Sequence, residues 1–190
     1  TPLTVEQVQT SKPIADPLRM LDCCIVSDAA GAFVVTSAER ALDMKQKPAY
    51  LLGIGEMHTH EHVMCAPDLT KFGALESGRT AYAMAGLKPS DIDVAQLYDC
   101  FTIVPIIELE ELGFVQPGEG GAFFEGGHAR IGGGLPVNTN GGMLSHAHAG
   151  AAGAILGIVE VVRQLRGGLG ERQVQGAEVG LVHNEGGILS

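Results

Sequence analysis

Asn138-Thr-Asn-Gly-Gly-Met-Leu-Ser-His-Ala-His148-Ala-Gly-Ala runs from a Gly-rich bend into an apolar segment with helical spacing. It places the imidazole of His148 at the mouth of a helix. Backbone N–H groups at such a mouth lack intrahelical partners, and the positive end of the helix dipole lies close by. That setting favours a neutral ring, able to accept a proton or donate a hydrogen bond. The adjoining glycines let the backbone approach a ligand closely.

Outward from this segment, the 190 residues suit one domain, or one and a fraction. Hydrophobic residues make up 45% and charged residues 18%, which is ample for a core and too apolar for a disordered tract. The net charge is −10 and the 12 basic residues are scattered, so no basic patch points to a nucleic-acid partner. The apolar stretches are too short and interrupted to span a bilayer. Cys23, Cys24, Cys65 and Cys100 show no C-x-x-C spacing, and free thiols in a reducing cytoplasm are expected. Thr1 opens a polar segment with neither an initiator Met nor a leader pattern, so a processed start or a piece of a longer protein is expected.

Along the chain, a Pro-punctuated lead-in carries a short helix over Val5–Thr10. The apolar runs Leu21–Val26 and Ala32–Thr36 follow, then a helix capped by Ser37. Ala49–Gly55 reads as a buried strand and Met57–Pro67 as a His-rich loop. Helical periodicity covers Gly78–Ala85 and stops at Gly86. Alternation over residues 91–98 predicts a strand, Ile103–Leu112 a helix, and the Gly-rich run Gly118–Gly134 a loop. A helix from His148 to about Gln164 and a strand over Glu178–His183 complete the chain. Strands alternating with helices predict a layered α/β architecture with a mixed sheet.

Strand Asp93–Tyr98 leads straight into Asp99-Cys100-Phe101-Thr102 before the next helix, the usual place for reactive groups in α/β folds. Cys100 there reads either as a nucleophile or acid/base group, or as a small buried hydrophobe. His146 and His148, two apart, could face one way, but no third metal ligand accompanies them. His58, His60 and His62 alternate as strand-borne metal ligands would, and also suit a solvated polar loop. No metal site is expected, and neither H-E-x-x-H nor a P-loop is present.

Four segments, in this order, resemble the C-terminal part of the thiolase superfamily, most closely the sterol-carrier-protein-x type and related lipid-transfer-protein thiolases. Val26-Ser-Asp-Ala-Ala-Gly-Ala-Phe-Val-Val resembles the strand that closes the family's first half. Leu97-Tyr-Asp-Cys-Phe-Thr resembles the loop written Asn-Glu-Ala-Phe or His-Asp-Cys-Phe. Asn138–Gly153 resembles the Gly-His-Pro loop and its helix, and Leu181-Val-His-Asn-Glu-Gly-Gly the closing segment, without its usual Cys-x-Gly. The resemblance implies that residues 1–48 hold a lead-in and the last strand and helix of the first half, and residues 49–190 the C-terminal thiolase-like domain.

It also implies roles. His148 would help to form an oxyanion hole and assist the nucleophile. Tyr98 replaces the Asn or His that holds an oxyanion-hole water, and Cys100 would be the acid/base group. His146, Gly142, His183 and Asn184 would line the substrate and oxyanion pocket. The implied activity is carbon–carbon bond chemistry on CoA thioesters of lipids or steroid side chains, of thiolase type. Coenzyme A is then a substrate, no cofactor is bound, and a homodimer is implied. The family's acylated cysteine lies in its first half, and none of the four cysteines matches it, so the stretch alone is expected to be incomplete. The Ser-His-x-His pattern resembles a branch of retro-aldol enzymes that cleave steroid side-chain CoA esters beside an OB-fold/zinc-ribbon accessory protein. A third expectation, from another class, is a non-catalytic dimerising or accessory lobe.

Overall fold

The computed structural model describes residues 3–186, so of the closing segment only Gly187 falls outside. Seven helices are assigned there: α1 (Val5–Gln9), α2 (Ala38–Leu42), α3 (Ala74–Ala85), α4 (Val104–Glu111), α5 (Gly120–Glu125), α6 (Gly142–Ser145) and α7 (Ala151–Arg166). Four short strands accompany them: β1 (Pro13–Ala15), β2 (Leu18–Arg19), β3 (Val94–Gln96) and β4 (Gly180–Val182). β1 and β2 form an antiparallel hairpin, while β3 and β4 pair in parallel, Val94 opposite Gly180 and Gln96 opposite Val182. A parallel bridge from Ala95 to Val137 extends this central sheet on its other side. None of the described helices is long and apolar enough to cross a membrane.

The two faces of β3 explain the layers, because successive side chains point to opposite sides. Ala95 and Leu97 join Ala74, Leu109, Leu112 and Leu135 in one buried cluster, which seats α3, α4 and the aromatic pair of α5 on one face. Gln96 and Val94 face the other way, toward α7. A Cβ on Gly157 of α7 would stand 3.4 Å from both Gln96 and Val182, so the missing side chain sets how closely the helix approaches the sheet. The result is a layered α/β fold with small, mixed strand pairings.

Local chemistry places the helix ends. α3 begins four residues earlier than its periodicity predicts, because the Glu111 carboxylate on α4 accepts the N–H groups of Phe72 (2.8 Å) and Ala74 (3.3 Å). It stops at Gly86, which adopts a left-handed conformation. Pro105 sits in the first turn of α4, where a missing N–H leaves no helix bond unmade. α7 starts at Ala151 rather than His148 and is held by a buried polar network. Thr139 donates to Glu160 at 2.8 Å, and Gln164 and Arg172 donate to the same carboxylate oxygen at 3.2 and 2.8 Å.

Two expectations are corrected. The Gly118–Gly134 run contains α5, whose Phe123 and Phe124 anchor it against the core cluster in spite of the flanking glycines. Ala49–Gly55 forms no strand, and Leu51 is exposed. That stretch lies along α3, with Gly53 and Gly55 set against the backbone of Ala81 and Ser77.

Candidate active site

The carboxyl end of β3 opens into Leu97–Phe101, and side chains from a second loop hold this turn in place. Asn138, at φ 50°, accepts the Leu97 N–H at 2.8 Å and donates to the Leu97 carbonyl at 3.0 Å. Its amide thereby continues the sheet pairing where the strand stops. Asp99 reaches back, accepting the N–H of Met143 at 2.6 Å and of Leu144 at 3.4 Å, and so caps α6. Gly142, at φ 61°, packs flat on that carboxylate, where any Cβ would collide with it. Burial raises the Asp99 pKa, while the two amide bonds pull it back down.

A third segment comes alongside. Cys24 N–H bonds to the Cys100 carbonyl at 2.9 Å, and Ile25 and His148 are joined through the His148 N–H at 3.2 Å. These backbone bonds bring three side chains into a line. Cys24 Sγ lies 3.0 Å from His148 Nδ1, and Tyr98 Oη lies 3.2 Å from His148 Nε2. The Tyr98 and His148 rings meet edge to face, 6.0 Å between centroids. Cys100 is buried beneath them among Phe72, Val104 and Ile107. Burial pushes the Cys24 thiol up, and the Cys100 thiol and Tyr98 phenol up to about 12 each. At neutral pH all three stay protonated.

The imidazole in the middle has both nitrogens engaged, so its tautomer follows from its neighbours. When Cys24 donates to Nδ1, Nε2–H donates to the Tyr98 oxygen and frees the phenolic hydrogen to point at a ligand. A line of thiol, imidazole and phenol in this state offers a developing oxyanion a donor backed by two polarising groups.

A second group lies across the Tyr98 main chain. Glu108, fully buried on α4, accepts the Tyr98 N–H at 3.0 Å through Oε2. Its other oxygen lies 3.1 Å from His183 Nδ1, which is 3.9 Å from Glu185 Oε1. Burial holds the Glu108 carboxyl well above the usual range, raises Glu185 to about 8 and lowers the His183 pKa. His183, Asn184 and Glu185 line a cavity of about 380 Å³ with Met57, Phe72 and Ser77. His146 is exposed at the end of α6, and with Gly142, Asp99 and Gln96 it borders a separate void of about 20 Å³.

Of the residues expected from sequence, Tyr98, Cys100 and His148 come together, His183 and Asn184 flank the larger cavity, and His146 and Gly142 stand apart by the smaller one. The His-rich loop does not converge. His58 contacts Glu56 at 2.9 Å, His60 contacts Thr59 at 2.7 Å, and His62 accepts the Met64 N–H at 3.1 Å. Sequence reasoning missed Cys24, Glu108 and Glu185. Glu108 left a signal: it falls four residues after Val104 and four before Leu112, on the apolar face of its helix. Cys24 left none, because its role depends on a contact with a residue 124 positions away.

The family described as thiolase C-terminal domain-like matches residues 55–190. The chain belongs to this thiolase family. Among similar proteins, an acetyl-CoA acetyltransferase of Methanothermobacter thermautotrophicus is 44% identical over 97% of the chain and 49% of its own length. A 17-hydroxy-3-oxo-4-pregnene-20-carboxyl-CoA lyase of Mycobacterium tuberculosis is 42% identical over 87% of the chain and 44% of its own length. The solved Ltp2-ChsH2(DUF35) aldolase superimposes on the whole chain with a TM-score of 0.83 at 36% identity, over 50% of its own chain. The thiolase-like stretch described here thus spans about half the length of the relatives it matches.

Proposed function

We propose that this chain supplies the oxyanion-binding and proton-transfer half of a thiolase-type site that makes or breaks carbon–carbon bonds in CoA thioesters. The observation that carries the reading is the hydrogen-bonded line Cys24–His148–Tyr98 at the carboxyl end of β3. The thioester oxygen would sit against the Tyr98 phenol, which, polarised by His148, stabilises the negative charge that forms there on attack or on enolate formation. Cys24 holds the ring from behind. The Cys100 thiol, buried directly below, is the proton carrier on this side of the site. The attacking nucleophile would come from the remaining half of the fold. The protein would act on lipid or steroid side-chain acyl-CoA, in the cytoplasm and as a homodimer.

A second reading, retro-aldol cleavage of a β-hydroxyacyl-CoA, is favoured by one specific observation, the phenol of Tyr98 where ordinary thiolases carry Asn or His. In that case the substrate hydroxyl gives up its proton, the carbon–carbon bond breaks, and the electron pair rests on the thioester enolate until it is protonated. A DUF35-type accessory partner, as in the Ltp2-ChsH2 assembly, would accompany that activity.

Mass spectrometry of the intact protein after incubation with an acyl-CoA separates the two. An added acyl group identifies the thiolase reaction, and turnover without one identifies the aldolase. His148→Ala should lower kcat/KM by about 10²–10⁴ in either case. Tyr98→Phe with Cys100→Ala divides them further: the aldolase loses turnover with the first and tolerates the second. Unchanged turnover in His148→Ala overturns both readings.

A further inference from the structure

Glu108, His183 and Glu185 take no part in the Cys24–His148–Tyr98 line, yet they converge. Glu108 comes from α4, and the other two from the run that leaves β4. One ligand atom of each lies within 4.8 Å of the others. Glu108 Oε1, His183 Nδ1 and Glu185 Oε1 are all closed off from solvent, approach only one another, and make no well-aligned hydrogen bond to any other group. The Glu108 side chain is wholly buried and that of Glu185 is 2% exposed. Buried polar atoms almost always have a partner. Three that face one point call for a single partner shared among them.

We propose that Glu108, His183 and Glu185 form a binding site for a divalent transition-metal ion, with zinc the best match. Ligands about 2.0–2.2 Å from a tetrahedral ion stand about 3.4 Å from each other. The observed separations of 3.1 and 3.9 Å straddle that value. One imidazole nitrogen with two carboxylate oxygens suits zinc, whereas magnesium and calcium take all-oxygen shells. A dication would also stabilise the ionised form of two carboxyls that burial otherwise keeps protonated.

Outer contacts hold two of the ligands in place. The Tyr98 N–H fixes the far oxygen of Glu108 at 3.0 Å, and the His183 N–H bonds to the Gln96 carbonyl at 2.9 Å. The cavity of about 380 Å³ lined by His183 and Glu185 lies beside the three atoms and supplies an entry path. His58 lines the same cavity, but its ring and those of His60 and His62 are bonded to their own neighbours. Because Glu108 also holds the Tyr98 backbone, an ion here would stiffen the turn that carries the proposed oxyanion donor.

The experiment is zinc titration of the intact protein after chelator treatment, followed by calorimetry and elemental analysis. One zinc per chain is expected. Glu185→Gln should weaken binding by about 100-fold, while a His60→Ala, His62→Ala double variant should bind as before. Failure of the wild-type protein to hold zinc, or equal binding by Glu185→Gln, overturns the site. Should Glu185→Gln not fold, anomalous diffraction from zinc-soaked wild-type crystals decides. A peak about 2.0–2.2 Å from the three atoms supports the assignment, and a peak elsewhere or none refutes it.

Discussion

Residues 3–71 and residues 72–186 have similar appetites for burial and opposite outcomes. In the first stretch only Ala41 is buried, while Val34 and Leu51 stand 84% and 81% exposed. In the second, Val94, Val104 and Leu109 are completely enclosed. The difference is one of partners rather than composition. Apolar runs in the later stretch meet one another within the chain, as Leu97 meets Leu109 and Leu135. The runs around Val26, Val34 and Leu51 present their side chains outward, on a chain that spans half the length of its relatives. A hydrophobic pattern states that a face is to be covered and leaves open what covers it.

The contrast can be broken by paired substitutions. Val94→Asp should abolish folding, since an unpaired charge in an enclosed site costs upward of about 4 kcal/mol. Val34→Asp in the earlier stretch should cost less than about 0.5 kcal/mol, read from urea unfolding. A large loss from Val34→Asp would sink the distinction. Repeating it in the intact protein sharpens the point, because a face covered by further chain should then cost about 2 kcal/mol or more.

Leu109→Ala comes next, with an expected loss of about 2–5 kcal/mol by thermal or chemical denaturation. Asp99→Ala should cost about 1–2 kcal/mol. Its signature is faster hydrogen exchange at the Met143 amide, which a simple packing defect elsewhere would leave alone.

The smallest effect is kinetic. Exposed Cys65 should react with iodoacetamide well before Cys100 at pH 7. Burial pushes Cys100 up to about 12, so its thiolate fraction climbs roughly tenfold per pH unit. Its alkylation rate should rise in step from pH 7 to 9 with no plateau, and a plateau below pH 9 would contradict the burial.

Much of the later stretch was legible because its signals are local. The Gly86 stop lies where the sequence puts it, as does the Ser37 cap in the earlier stretch. The order Tyr98, Cys100, His148 was legible too, although only the resemblance attached a role to it. What escaped depends on contacts distant in sequence. The start of α3 is decided by Glu111 on another helix, and α5 by two aromatic side chains that reach a core built elsewhere. Cys24 became part of the site only when the chain brought residues 23–27 alongside two later loops. Ala49–Gly55 failed for the opposite reason: the pattern of a buried strand was present, and no strand lay beside it.

Asp99 sits between Tyr98 and Cys100 and grips the first amides of α6. Its carboxylate rivets two loops into one jaw. Neither Tyr98 nor α6, which leads into the turn that carries His148, can drift without breaking that grip, so the site needs little rearrangement when a thioester arrives. Preorganisation of this kind removes the reorganisation penalty that freely moving dipoles pay in water. A carboxylate that never touches the substrate thus sets how ready the site is to receive it.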